Sequence, residues 1–268
     1  MVSIYFDWEV VNKFLFMDKL SREENWKSFC THHAVGDWHG IFLKYSSEGE
    51  LVEESRIIRS FYHIPEINQI IHHNHYIYPN GQSKSVTFRN LNQDNCKAIY
   101  LEGSFTWGNE RFVSGTPMGS EIGFKQADKR VSASFIYADD GQIKAVYLII
   151  EKLTEIDSAS FPVAVAIESF DSNLEKRWST IQIVNSDWEY HERKMLFQQI
   201  RHRQESDLEM LTINNNNIRL SCPKLIREDS SFSQELEWFE PSICLTGIRT
   251  YSQGCFEKFE LRTFRLEE

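Results

Sequence analysis

Alternating histidines are the side chains of this chain that are best suited to chemistry. In the segment His72-His73-Asn74-His75, a β-strand would place His73 and His75 on the same face. Alternate imidazoles can bind zinc or copper, but two of them do not complete a site, and no carboxylate or thiolate stands at ligand spacing. The alternative is a polar stripe toward solvent or toward the lumen of a barrel. We therefore predict no metal site and retain His73 and His75 as candidate ligand contacts.

Other groupings that would support catalysis are weaker. Acid–base catalysis needs carboxyl groups in environments that separate their pKa values, whereas Glu53-Glu54 and Asp139-Asp140 are expected on an exposed strand and in a turn. The sequence contains no Gly-x-Ser-x-Gly nucleophile motif and no glycine-rich phosphate loop. Its five cysteines are scattered without a CxxC, which is typical of core thiols in a reducing compartment. We predict a protein without enzymatic activity and without a required cofactor.

The charge and the distribution of apolar residues bound the class of partner. A formal net charge of −10 gives no general attraction to nucleic acid or to anionic membranes. No uncharged run approaches the roughly 18 residues that span a bilayer. Asp7, Glu9 and Lys13 interrupt the apolar stretch at the N-terminus, which argues against a signal peptide. We therefore predict a cytoplasmic protein with no nucleic-acid partner and no membrane span.

The elements that would position any site are mostly β-strands. Aromatic residues make up 13% of the chain, and such side chains favour the pleated surface of a sheet. After Trp38 the apolar residues alternate with period two, and Asn80-Gly81 and Asp140-Gly141 are hairpin signals because these residues accept positive φ. About nine short strands follow before residue 153, one of them over 110–114 and one over 97–107. Such spacing indicates an antiparallel sandwich or barrel.

Three segments are predicted along the chain. Residues 1–20 are predicted to form an amphipathic arm. Met17 could equally be the first residue of the protein, in which case most of this arm would be an appended segment. Ser21 and Glu24 form a capping box, so a helix should begin there and open a first barrel over residues 21–155. A polar stretch then leads into a second, divergent barrel over residues 156–268. Trp178 stands near its start as the counterpart of Trp38, which favours an ancient duplication.

A short helix followed by Gly36-Asp37-Trp38 and a long hairpin resembles the start of the lipocalin and calycin superfamily. Trp26-Lys-Ser-Phe29 before that motif, and Ser46-Ser-Glu-Gly49 after it, are similar to an uncharacterised family that is common in cyanobacteria and plastids. The resemblance implies an all-β protein of two consecutive lipocalin/calycin-like antiparallel β-barrels with a short N-terminal helical arm. It also implies that Trp38 packs across the barrel floor under a basic side chain, for which Lys152 is the expected residue.

The same resemblance carries two expectations about function. Plant members of that family are biogenesis factors for chloroplast ATP synthase, which implies a non-enzymatic, soluble binding or assembly factor that assists the assembly of ATP synthase F1 subunits. Bilin lyases resemble a distant single-barrel relative. They imply the alternative, a lipocalin-like carrier of an apolar ligand or a bilin, or a lyase-like protein, with the ligand held in the first barrel.

Aromatic residues along the predicted strands favour a lumen that could hold a flat ligand such as a tetrapyrrole, a lipid or a fatty acid. In small barrels the same residues often only fill the interior. Tyr100, Trp107 and the two histidines His73 and His75 are the candidate polar handles. The full set of predicted ligand contacts is Trp38, Phe42, His73, His75, Tyr100, Trp107 and Tyr137.

Overall fold

The structure is a computed structural model. It describes residues 18–19, 22–101, 103–153, 177–184, 189–196, 208–241 and 243–265. The single α-helix among them is α1 (Arg22–His32), where the sequence predicted one, and a 3₁₀ turn covers Pro65–Ile67. The capping residue Ser21 and the predicted arm, apart from Asp18–Lys19, lie outside the described part of the chain. Asp18–Lys19 form a short strand, β1, rather than a helical turn.

The first sheet has nine antiparallel strands and is curled, with a gap between its two edge strands. Its strands are β2 (Asp37–Tyr45), β3 (Leu51–Ile64), β4 (Gln69–Ile77), β5 (Ser83–Leu91), β6 (Ile99–Leu101), β7 (Ser104–Gly108), β8 (Met118–Gln126), β9 (Lys129–Tyr137) and β10 (Ile143–Lys152). Consecutive strands pair with the exception of β5 and β6, which form the two edges, and β10 returns to pair with β2. We call this curled sheet the first barrel and the gap between β5 and β6 its seam.

One helical side chain shows which face of the first barrel is concave. Phe29 of α1 lies with its ring centroid 5.7 Å from that of Phe61 on β3 and 4.7 Å from that of Tyr100 on β6. Five strands separate β3 from β6 in the sheet. Both rings can contact the same phenylalanine only if the sheet curls around the helix. The face that carries Phe61 and Tyr100 is therefore the lumen.

The second sheet repeats this closing connection. Its strands are β11 (Arg177–Val184), β12 (Glu189–Leu196), β13 (Met210–Asn215), β14 (Ile218–Pro223), β15 (Phe232–Glu240), β16 (Ile243–Ser252) and β17 (Cys255–Arg265), with β1 added at the edge beside β12. The last strand, β17, pairs with the first, β11, as β10 pairs with β2. Trp178 is the second residue of β11, as Trp38 is of β2, and the duplication itself stays a prediction.

The main apolar core lies between the two sheets rather than inside the first barrel. Ile122 and Phe124 of β8 are fully buried and pack onto Gly247 of β16, where a Cβ would lie 2.7 Å from the Ile122 side chain. Across the same interface the Asn215 side chain donates to the Tyr45 hydroxyl at 2.8 Å. The apolar residues of β8 and β9 are therefore used by sheet–sheet packing.

The structure confirms the all-β fold with a helix before the first sheet, and it corrects two details. The predicted strand over 97–107 is divided into β6 and β7. The predicted strand over 110–114 forms no ladder; instead the Phe112 amide donates to the Gly254 carbonyl at 2.9 Å, which ties this loop to the second sheet. The domain boundary near residue 155 falls outside the described residues and stays a prediction. In the described residues no helix is both long and apolar enough to cross a membrane, and the cytoplasmic location stays a prediction.

Candidate functional site in the first barrel

The lumen of the first barrel is set by strand register. Trp38 of β2 is opposite Arg59 of β3, which is opposite Asn74 of β4, and residues two apart on each strand share that face. On the other side of β2, Gly40 is opposite Glu151 of β10, which pairs with Arg130 of β9. Other polar and aromatic residues on this face include Phe42, Ser55, Phe61, His72, Tyr76, Lys84, Phe88, Tyr100, Phe105, Trp107, Glu121, Lys125, Ser132, Ser134 and Tyr147.

One end of the lumen is closed by α1 and Trp38. The Trp38 side chain is fully buried, and its indole N–H donates to the His33 carbonyl at 2.9 Å. The Arg130 guanidinium lies 4.6 Å from the centre of the Trp38 ring, a cation–π contact. The predicted contact from Lys152 is wrong, because Lys152 lies on the outer face of β10 and pairs with Asp128 at 3.6 Å.

A buried charge cluster lies directly on this floor. The Glu151 carboxylate accepts a hydrogen bond from Arg130 Nε at 2.7 Å and lies 3.3 Å from Arg59 Nε. All three side chains are at least nine-tenths buried. Burial alone would raise the pKa of Glu151, but the two guanidinium groups outweigh it and hold that pKa below its usual value. Gly40 makes room for this arrangement, because a Cβ there would lie 2.6 Å from the Glu151 side chain.

Arg59 Nε and Glu151 Oε1 form no hydrogen bond but face each other as an ion pair at 3.3 Å. Apart from these two, four buried polar atoms on the lumen face have no partner among the described residues. They are Arg130 Nη2, Ser55 Oγ, Ser132 Oγ and Glu121 Oε1. The four residues are 8% exposed or less. A buried donor or acceptor that stays unsatisfied costs about 1–3 kcal/mol, so such a group of atoms is unusual in a lumen that serves only as a core. This arrangement can bind a polar group, and it can bind both donors and acceptors.

Aromatic rings line the opposite end of the lumen. Phe42 contacts Tyr76 and Tyr147 with ring centroids 5.5 Å and 5.0 Å apart. The Trp107 indole N–H donates to Glu121 Oε2 at 2.7 Å, while 47% of the Trp107 surface remains exposed. Its ring is therefore partly exposed to solvent on the strand next to β6, one edge of the seam. We call this end of the lumen its mouth. The predicted contacts Phe42 and Trp107 both lie on the lumen face.

The histidines of β4 face the opposite sides of the sheet from those predicted. His73 and His75 lie on the outer face of β4, where their rings hydrogen-bond the hydroxyls of Thr87 and Ser85 at 2.8 Å and 2.9 Å. The lumen receives His72 instead, which stacks on Phe61 at 4.6 Å. Burial lowers the pKa of His72 to about 3, and so His72 is a neutral side chain at physiological pH. The prediction of His73 and His75 as lumen handles does not agree with this register.

Two tyrosines of the predicted set also lie away from the mouth of the lumen. Tyr137 is fully buried between the sheets, where its hydroxyl donates to the Pro223 carbonyl at 3.0 Å. Tyr137 and Arg130 are an odd number of residues apart on β9, and such residues point to opposite faces of the sheet. Tyr100 is on the lumen face but at the closed end, packed against Phe29 and Phe105. Trp38 likewise belongs to the closed floor.

Sequence reasoning missed the charged members of the site, Arg59, Arg130, Glu121 and Glu151. A signal was available in the alternation of β9, where Arg130, Ser132 and Ser134 interleave with Val131, Ala133 and Phe135. Both sets are buried or half-buried. A polar stripe opposite an apolar one, on a strand covered on both sides, indicates a polar interior. In the described residues, no group of three or more His, Cys, Asp and Glu is arranged to hold a metal ion.

Comparisons with known proteins place the chain among proteins without an assigned activity. A model of the N-terminal part of DUF3598, a domain of unknown function, matches residues 22–156. The crystal structure of a DUF3598 protein of unknown function from Nostoc punctiforme is similar with a TM-score of 0.69 and 16% identity, over 91% of this chain and 99% of that one. This likeness shows that the fold is shared.

A weaker likeness is to the S-type phycobiliprotein lyase CPES from Guillardia theta. It has a TM-score of 0.35 and 14% identity, over 51% of this chain and 94% of that one. At this level the likeness supports no argument about function. A search among curated proteins finds no match to this chain.

Proposed function

The chain belongs to the DUF3598 family, and on that premise we propose that it is a binding protein that holds a small amphipathic molecule in the lumen of its first barrel. The observation that supports this proposal is the group of four buried polar atoms without partners. They lie on the same face as the aromatic mouth around Phe42 and Trp107. A ligand that entered through this mouth would meet rings first and hydrogen-bonding groups at greater depth.

The polar side chains of the lumen favour an amphipathic ligand, such as a tetrapyrrole, over a purely apolar lipid. A fatty acid chain would cover Ser55 and Ser132 without offering them a hydrogen bond, and this costs free energy for each covered group. A bilin, like other tetrapyrroles, combines a flat conjugated system with ring N–H groups and carboxylates. The amphipathic class therefore fits the described residues better than a purely apolar lipid does.

The direct test uses a dye that becomes fluorescent in apolar surroundings, N-phenyl-2-naphthylamine. Ser134 lies on the lumen face of β9 and Ser85 on the outer face of β5, so Ser134→Phe should obstruct the lumen, whereas Ser85→Phe should not. We expect the wild type and Ser85→Phe to bind one dye per chain, and Ser134→Phe to bind at least tenfold more weakly. Equal binding by both variants, with unchanged circular dichroism, would show that the dye site is elsewhere and would overturn the proposal.

The bilin alternative has a visible readout. The protein is purified with and without added biliverdin, and its absorption spectrum is recorded after gel filtration. A bound bilin in an ordered lumen should change the ratio and position of its absorption bands, and Ser134→Phe should abolish the change. Biliverdin that elutes free of the protein would remove bilins from the set of ligands.

The assembly-factor hypothesis stays a prediction that rests on the resemblance of the N-terminal motif. It concerns a protein-binding surface, and lumen binding neither requires nor excludes such a surface. A pull-down from a native extract under mild conditions tests it, with recovery of F1 subunits of ATP synthase as the expected result. Their absence from the eluate, with the bait intact, would contradict the hypothesis.

A further inference from the structure

Two of the four unpartnered lumen atoms have opposite chemistry. Arg130 Nη2 is a charged donor, and Glu121 Oε1 is a charged acceptor. Each residue also makes one hydrogen bond within the protein: Arg130 Nε donates to Glu151, and Glu121 Oε2 accepts from Trp107. These engagements fix both side chains before a ligand arrives, which is the preorganisation that favours selective binding.

The register places these two groups at different depths. Glu121 of β8 pairs with Ser134 of β9, and Ser134 is four residues along β9 from Arg130. At about 3.4 Å per residue, the two positions are roughly 14 Å apart along the strand direction. Arg130 is at the closed floor over Trp38, and Glu121 is beside the mouth. Ser132 lies between them, on the same face, with its hydroxyl also unpartnered.

We propose that the first barrel selects an elongated, flat ligand with an acidic group at the inner end, bound by Arg130, and an N–H or O–H donor toward the mouth, bound by Glu121. The inference rests on the proposed function, because it requires that the lumen binds a ligand. The acid satisfies the free guanidinium N–H, and the donor satisfies the free carboxylate oxygen. A ligand with both groups at one end can satisfy only one of these two residues, since the two positions are far apart.

Three dyes with one scaffold separate these requirements. The isomer 2,6-anilinonaphthalene sulfonate has its acidic group and its N–H at opposite ends of the naphthalene, whereas the 1,8-isomer has them side by side. N-phenyl-2-naphthylamine has the N–H and no acid. We expect the 2,6-isomer to bind at least tenfold more tightly than either of the others, measured by calorimetry at one ionic strength.

On the protein side, Glu121→Gln retains an oxygen for the Trp107 N–H and turns the free position from acceptor to donor. We expect about a tenfold loss of affinity for the 2,6-isomer. Glu54→Gln removes the same charge from the exposed outer face of β3 and should leave the affinity unchanged. Circular dichroism and urea unfolding check that both variants fold.

The outcomes distinguish the proposed selection by Arg130 and Glu121 from the proposed binding of a ligand in the lumen. Equal affinity for the two isomers, or for the acid-free dye, would overturn the selection by Arg130 and Glu121 and leave lumen binding standing. Unchanged binding of the 2,6-isomer to Glu121→Gln would also overturn it. Absence of binding by all three dyes would overturn the proposed function and, with it, this inference.

Discussion

Replacing Glu151 with Gln should destabilise the protein strongly, because Glu151 is the carboxylate shared by Arg59 and Arg130. Its two oxygens lie 2.7 Å from Arg130 Nε and 3.3 Å from Arg59 Nε. With charge centres about 4 Å apart, each pair is worth roughly 4 kcal/mol at an effective dielectric constant of about 20. Gln removes most of this attraction and leaves two buried guanidinium groups beside each other, which relaxation and water offset only in part. We therefore expect a loss of about 3–5 kcal/mol.

The assay is urea unfolding at pH 7, followed by tryptophan fluorescence. The matched control is Glu240→Gln, since Glu240 pairs with Lys129 at 3.2 Å but about a third of the Lys129 side chain is exposed. Partly exposed pairs contribute little, so the control should lose no more than about 1 kcal/mol. If Glu151→Gln also lost less than about 1 kcal/mol, the charge cluster would be hydrated and the account of a buried floor would be refuted.

The pH dependence gives an independent check of the same pair. The folded-state pKa of Glu151 is depressed, so its contribution to stability is present above the unfolded pKa of about 4.3 and is lost as the pH falls through the folded value. The difference in stability between wild type and Glu151→Gln should therefore be constant from pH 7 to 5 and shrink below about pH 4. A difference that grew toward acid would contradict the sign of the shift.

Two further predictions concern neighbouring residues on the lumen face. Gly40→Ala should cost about 1–3 kcal/mol in urea unfolding, because its Cβ would lie 2.6 Å from the Glu151 side chain; wild-type stability would contradict the close approach. His72→Phe keeps an aromatic ring against Phe61 and Phe88 but removes a group whose pKa falls from 6.5 to about 3 on folding. Wild-type stability relative to this variant should therefore decrease by about 2 kcal/mol from pH 7 to pH 5, since the unfolded state binds the additional proton; an unchanged difference would show that His72 is solvated.

Much of the fold follows from local signals in the sequence. Asn80-Gly81 and Asp140-Gly141 are the turns of the β4–β5 and β9–β10 hairpins, with Gly81 and Gly141 at positive φ. Period-two alternation also predicts β2, although the buried face changes along the strand, from Trp38 and Gly40 at its start to Leu43 and Tyr45 at its end. These features depend on residues that are adjacent in sequence, and this makes them predictable.

The pairing of distant segments is what local patterns could not supply. The loop over 110–114 contains enough apolar residues to resemble a strand, yet its backbone is paired with the turn between β16 and β17 of the other sheet. Likewise, a basic side chain was predicted over the Trp38 ring, but the sequence contains several basic residues and did not identify which one makes the contact. Register, not composition, selects Arg130, because β10 places Glu151 beside Gly40 and thereby brings Arg130 of β9 over the floor.

The location of the site depends on whether the large apolar residues of β8 and β9 lie on the inner or the outer face of the first barrel. An isolated barrel would direct its large apolar side chains inward, and so Tyr137 was predicted in the lumen. Here the outer face of β8 and β9 is buried by the second sheet, so that Phe124, Phe135 and Tyr137 are used there. The inward positions of the same strands are then free to carry Glu121 and Arg130. The second sheet thus provides an apolar core, and this allows the lumen face of the first barrel to carry polar and charged side chains.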